Sequence, residues 1–124
     1  MKQDTAKTTE AYLKAWQKKD TAEIARYVHP QVEFVGPMAQ TKGKEAFLGG
    51  AQRVLPLMKE LKIDTRFFSG DQALFTYDFN CVEPIGVCRT AELITVTDGL
   101  VARVELFFDA RPFEKMMQQR AQAS

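Results

Sequence analysis

Residues 87–109 read VCRTAELITVTDGLVARVELFFD, and the Asp98-Gly99 pair at the centre decides how the rest of the chain is understood. Two runs of β-branched, aliphatic and aromatic residues flank a dipeptide that readily takes positive φ at both positions, the geometry of a two-residue hairpin turn. The spacing predicts antiparallel strands over 87–97 and 100–109. Counting outward from the turn pairs Thr97 with Leu100, sets Ile94 opposite Arg103 and brings Glu92 opposite Glu105.

Working upstream, residues 72–82 and 62–68 also read as strands, bounded by Glu83-Pro84-Ile85-Gly86 and Ser69-Gly70-Asp71. A turn centred on Pro84-Ile85 would pair Val82 with Val87, Cys81 with Cys88 and Tyr77 with Glu92. Tyr77, Glu92 and Glu105 would then form one row. The same face carries Phe75, Phe79, Ile94, Val96, Val101 and Phe107, while the other carries Leu74, Ala91, Leu93, Val104, Leu106 and Phe108. Both faces are too apolar for water. In a chain this short the helices cover only one, so the expectation is helices on the Tyr77 face and a second subunit on the Leu93 face.

The first half changes period. Thr9, Tyr12, Leu13 and Trp16 form one apolar stripe of a helix over about 5–18. Asp20 followed by Glu23 resembles a capping box and opens a short helix from Ala22 to Val28. Pro30 stops it and leaves His29 in the exit loop, in a structural or solvated position. Val32–Val35 reads as a short strand closed by Gly36-Pro37. A longer helix is expected over about 44–60, burying Phe47, Ala51, Val54, Leu55 and Met58, with a bend at Pro56. Pro112 lies in the first turn of a last short helix through about Gln119, with Asp109 capping it or pairing with Arg111.

Composition narrows the chemistry. The 124 residues are expected to fold as one domain, 1–124. Seventeen Lys and Arg against sixteen Asp and Glu leave a formal charge of +1, no footprint for nucleic acid. One histidine and two cysteines are too few for a Cys/His zinc site, so no metal is expected. No stretch approaches the roughly 20 apolar residues of a membrane span and the start carries no secretory core, so a cytoplasmic protein with no membrane partner is expected. Cys81 and Cys88 would then be buried thiols, with redox or metal chemistry as the lesser alternative.

Two glutamates opposite each other on an apolar face would repel, and the cheaper solution is for one to keep its proton. Glu92 would be the acid and Glu105 the base, Arg103 the charge stabiliser, and Tyr77 or Tyr12 a hydroxyl donor. The same register permits a plainer reading: Glu92, Arg103 and Glu105 as an exposed charge ladder, with the Leu93 face on the helices, since a slip of one residue turns every side chain over. Tyr12 and Trp16 are core residues or pocket lining. Asp78 and Arg89 fall diagonally on the other face, as a surface or dimer-side pair.

The order of elements, with YLKAWQKKDTAEIARYVHPQVEFVGP, TKGKEAFL and TDGLVARVELFFDARPF, resembles the nuclear-transport-factor-2-like superfamily and its SnoaL-like and ketosteroid-isomerase-like branch. The resemblance implies an α+β, cystatin-like fold, a cone in which a curved antiparallel sheet wraps over three helices around an apolar pocket and a short helix ends the chain. It implies a homodimer through the outer sheet face. Tyr12 looks like the first-helix tyrosine that holds the oxyanion in steroid isomerases, and Glu92 falls near their protonated Asp. Gly36 stands where their general base would be, which argues against the usual steroid isomerase mechanism. Polyketide-cyclase-like members use an acid near the end of the sheet, for which Glu105 is the nearest match, and epoxide-hydrolase-like members combine two carboxylates with an arginine. The substrate would be a small, largely apolar molecule lined by Trp16, Phe34, Met58, Phe75, Phe79, Ile94 and Phe107, acted on by a cofactor-independent isomerase, cyclase or hydrolase. The competing expectation is a non-catalytic ligand-binding or dimerisation module of the same fold, marked by a cone filled with its own side chains.

Overall fold

Asp4 and Asp20 each open a helix in the same way. The carboxylate accepts the backbone N–H three residues on, from Lys7 at 2.9 Å and from Glu23 at 3.1 Å, satisfying donors that a helix start leaves free. The helices they begin are α1 (Thr5–Gln17) and α2 (Thr21–Arg26), in a computed structural model that describes residues 4–123. The chain continues through β1 (Val28–Val35), β2 (Gln40–Lys42), α3 (Lys44–Val54), a 3-10 turn (Leu55–Leu57), β3 (Met58–Ser69), β4 (Gln72–Cys81), β5 (Val87–Thr97), β6 (Leu100–Phe107) and α4 (Arg111–Ala123). Among the described residues the strands form one curved, six-stranded sheet in the order β2-β1-β6-β5-β4-β3. Pairing is antiparallel except between β1 and β6. No helix among these residues is long and apolar enough to cross a membrane.

Tyr12 and Leu13 of α1, Phe47 of α3 and Leu55 after it pack with Phe75, Tyr77 and Ile94 of the sheet in one core. The helices therefore cover the Tyr77 face, as expected. A second cluster joins Cys81, Ile85 and Met116, with Leu57, Phe79 and Phe113 against it, and seats α4 on the sheet end. Asp109 accepts the Arg111 backbone N–H at 3.0 Å and also pairs with its guanidinium. Those contacts hold its carboxyl down to about 2.

Several boundaries differ from expectation for local reasons. The helix expected over 44–60 stops at Val54, because Pro56 cannot donate the next helical bond and sits instead in the 3-10 turn. Met58 then begins β3, four residues before the expected start at 62. β1 starts at Val28 rather than Val32, and its pairing with β6 is irregular between Val28 and Glu33, where Pro30 has no N–H to give. The strand β2 was not anticipated, and α4 runs past Gln119 to Ala123.

Two register changes matter more. The link between β4 and β5 is not a two-residue turn: Ile85 is buried beneath α4 and the ladder closes at Asn80 with Val87. Tyr77 consequently faces Thr90, and Glu92 faces Phe75. This is a shift of two positions, so both keep their face. In the β5–β6 hairpin, Asp98 (φ 54°) and Gly99 (φ 75°) make the expected turn, and Thr97 pairs with Leu100 and Val96 with Val101. Then Thr95 pairs with Arg103, leaving Ala102 as an extra residue. This β-bulge moves β6 by one position and turns every later side chain over.

Candidate functional site

Glu92 lies in the middle of β5 on the inner face, only 4% exposed. Phe75 and Leu106 flank it on the neighbouring strands. Tyr77, two residues along β4 from Phe75, turns the same way by strand alternation. Its hydroxyl donates to Glu92 Oε1 at 2.7 Å. Tyr12 comes down from α1 into the same interior, 1% exposed.

Burial dominates the electrostatics here. It pushes the Glu92 carboxyl up to about 7, with the Tyr77 hydrogen bond pulling the other way. Burial, then the nearby Glu92 charge, raises both phenols well above their ordinary range. Tyr12 and Tyr77 thus remain donors at neutral pH, while Glu92 is poised to hold or release one proton.

Glu105 and Arg103 are not in this site. The bulge at Ala102 turns Val104 inward and Arg103 and Glu105 outward, correcting the row in which Glu92 faced Glu105. Arg103 pairs with Glu33 at 3.1 Å and approaches Glu105 at 3.8 Å on the outer face. A carboxylate pair flanked by arginine is therefore absent from the described interior, because β6 would have to bury that ion pair in place of Val104 and Leu106. The plainer reading holds for Arg103 and Glu105 and fails for Glu92.

Of the expected lining residues, Met58, Phe75 and Ile94 are fully buried. Trp16, Phe34 and Phe79 are partly buried against the same core. Phe107 is a correction: it is half exposed on the outer side, turned over by the same bulge. Aromatic contacts run from Phe34 through Phe47 and Tyr12 to Trp16, with ring centroids 6.1, 6.4 and 6.5 Å apart. Position 36 offers no base, and a side chain begun there would meet the Phe34 ring at 3.1 Å.

Cys81 and Cys88 are free and buried, but Cys81 faces Met58 and Cys88 faces Phe79, not each other. Burial raises both thiols, Cys81 to about 11, which keeps them unreactive. Among the described residues no three His, Cys, Asp or Glu side chains gather as metal ligands. Arg89 pairs with Asp78 at 3.1 Å and with Asp64 at 2.5 Å on the outer face. His29 lies 3.9 Å from Asp98 beside the hairpin turn.

Among the described residues, two of the clefts open on the surface near the helices. One, of about 340 Å³, lies between Lys19, Thr21, Gln52, Leu55 and Pro56. The other, about 800 Å³, opens around Thr41, Gly43, Lys44 and Arg53. Glu92 lines neither. Sequence reasoning overlooked Trp16 as a polar group, having counted it as a ring only. It also overlooked the bulge, whose signal is the break in alternation between Val101 and Val104.

A family model described as a SnoaL-like domain matches residues 9–104. The fold is similar to a crystal structure of a protein from Kribbella flavida DSM 17836, with a TM-score of 0.84 and 27% identity over 94% of this chain and 95% of that one. A nuclear-transport-factor-2-like protein from Cytophaga hutchinsonii ATCC 33406 gives a TM-score of 0.79 at 18% identity, covering 92% and 97% of the two chains. A candidate ketosteroid isomerase from Kribbella flavida DSM 17836 gives 0.76 at 18% identity, covering 85% and 77%. None of the curated proteins compared matches the chain.

Proposed function

The chain belongs to the SnoaL-like domain family, and from that premise we propose that it binds a small, largely apolar molecule in the cone and moves a proton on it with its own side chains. The observation that carries this reading is the buried hydrogen bond from Tyr77 to Glu92, 2.7 Å long, in a largely apolar interior. Glu92 in its ionised form takes a proton from carbon beside a carbonyl, and the electron pair moves onto the carbonyl oxygen. The Tyr12 hydroxyl donates to that oxygen as charge develops. Glu92 then returns its proton to a carbon of the enol, which completes an isomerisation or the first step of a ring closure. A carboxyl near 7 exchanges protons in both directions at neutral pH. With Glu105 outside, one carboxyl serves as both base and acid.

The test uses apolar cyclic ketones in deuterated water, with mass spectrometry following deuterium uptake beside the carbonyl. Uptake faster than buffer, lost in Glu92→Gln, is expected. A panel on which the protein never exceeds buffer sinks the catalytic reading. The second reading, a binding module without chemistry, draws on Tyr12, Phe75 and Met58 filling the cone and on clefts that do not reach Glu92. Ketones that bind without exchange would select it.

The outer face is proposed to take a second copy. Phe67, Leu74 and Leu93 form an apolar row across β3, β4 and β5, beside Ala91 and Phe107. The ion pairs of Arg89 and Arg103 lie at its two sides, offering both signs to a two-fold partner. Sedimentation equilibrium should give a dimer for the natural chain and a monomer for Leu93→Lys; a natural chain that is monomeric at high concentration removes the proposal. We also place the protein in the cytoplasm, where Cys81 and Cys88 stay reduced; recovery from another cell fraction would overturn this.

A further inference from the structure

Trp16 lies one helical turn beyond Tyr12 on α1, and the two rings meet edge to face with centroids 6.5 Å apart. Its indole Nε1 is buried and has no hydrogen-bond partner. Among the described residues no other buried side-chain nitrogen or oxygen is left so. The indole lies near enough to Tyr12 to favour ionisation of that phenol slightly, yet the contact lacks the geometry of a hydrogen bond.

An indole N–H can only donate, and folded interiors rarely leave such a donor dry and unpaired. Packing alone does not call for it, since a phenylalanine would present a ring to Tyr12 without burying a polar atom. The group that would satisfy Nε1 has to be an acceptor. The neighbouring side-chain acceptor is the Tyr12 phenol oxygen, which can accept as well as donate but does not meet Nε1 in hydrogen-bond geometry; the aromatic contacts beyond it, Phe47 and Phe34, are carbon. An acceptor aligned with Nε1 would therefore arrive with the bound molecule, as an oxygen on an apolar frame.

We infer that Trp16 is a ligand-binding donor whose Nε1–H, beside the Tyr12 hydroxyl, takes an acceptor oxygen of the bound molecule, so that the ligand class is apolar ketones, enones and their enol or phenol forms rather than plain hydrocarbons or amines. The inference rests on the reading of this interior as a small-molecule site, and it adds the residue that recognises the oxygen. Trp16 contributes recognition and orientation; the proton transfer stays with Glu92.

The chain holds a single tryptophan, so a proton–nitrogen correlation spectrum shows one indole cross-peak, assigned without mutation. Two probes of nearly the same shape separate the acceptor from the frame: 2-acetylnaphthalene, which carries a carbonyl oxygen, and 2-isopropenylnaphthalene, in which a methylene replaces it. The ketone should move the indole proton downfield, and the alkene should leave it nearly in place while still shifting the methyl signals of Ile94 and Met58. Trp16→Phe should weaken ketone binding about tenfold and change alkene binding by less than about twofold. An indole signal unmoved by the ketone while the Ile94 and Met58 methyls respond would overturn the role of Trp16 and leave the binding site standing. Equal ketone affinity in the natural chain and Trp16→Phe would do the same. Methyl and indole signals unmoved by either probe would remove the site itself, and the inference with it.

Discussion

Glu92 and Glu105 occupy adjacent strands of one hairpin, and by simple counting from its turn they should face each other. Glu92 is instead sealed inside with a phenol as its partner, its carboxyl pushed up to about 7. Glu105 lies on the outer face beside Arg103, which is shared with Glu33. One unpaired residue, Ala102, separates these fates. The difference teaches that a glutamate becomes a candidate acid–base group through desolvation, and that desolvation follows from strand phase rather than from local sequence.

The largest effect should come from Val104→Glu, which places a carboxylate at the position that the bulge at Ala102 turns inward. Val104 is buried in the main core, so the variant loses an apolar side chain and buries a carboxyl with no partner, which should consume much of the roughly 5–15 kcal/mol that holds a small domain together. Circular dichroism at neutral pH should show an unfolded or aggregated chain; a variant that melts like the natural protein would mean that position 104 does not face the core and that the bulge does not hold the two glutamates apart.

Next in size is the pH dependence of stability. The folded Glu92 carboxyl, at about 7, binds its proton more tightly than the ordinary value of 4.5 allows in the unfolded chain. Its contribution is therefore fully present below about 4.5 and is lost as pH rises towards 7, by a few kcal/mol at most. Urea unfolding at pH 5 and pH 8 should show this loss in the natural chain and not in Glu92→Gln. Equal slopes for the two proteins would place the carboxyl in water. Tyr77→Phe should sharpen the contrast, because it removes the hydrogen bond that holds the Glu92 value down and leaves the carboxyl unpartnered, at a cost of about 1–3 kcal/mol.

The smallest effect belongs to the outer glutamate. Glu105→Gln should change stability by less than about 1 kcal/mol, and the change should shrink in salt, as for other exposed pairs. A loss as large as that of Tyr77→Phe would tie Glu105 to an interface on the outer face.

Much of this was legible in the chain. Asp98-Gly99 marks the hairpin because few other dipeptides accept positive φ twice in a row, and Asp20 marks a helix start because a short carboxylate reaches a free N–H three residues on. Tyr77 and Glu92 could be put on one face from alternation alone, and the longer loop around Ile85 moved them by two positions without changing that. The bulge was harder. Pairing from a turn assumes one residue opposite one, whereas the spacing of Val101 and Val104 only makes sense once both must reach the same core.

What the amino-acid order determined by itself is the set of elements apart from β2, the turn that joins β5 to β6, and the apolar inner face carrying Tyr77 and Glu92. These rest on interactions within a few residues: backbone φ preference, caps and period. Only the tertiary structure decided that Glu105, Arg103 and Phe107 face outward, that Ile85 is an anchor for α4, and that the Trp16 indole is left without a partner. Each of those depends on which side chains compete for one buried volume, and that competition exists only once sheet and helices have closed on each other.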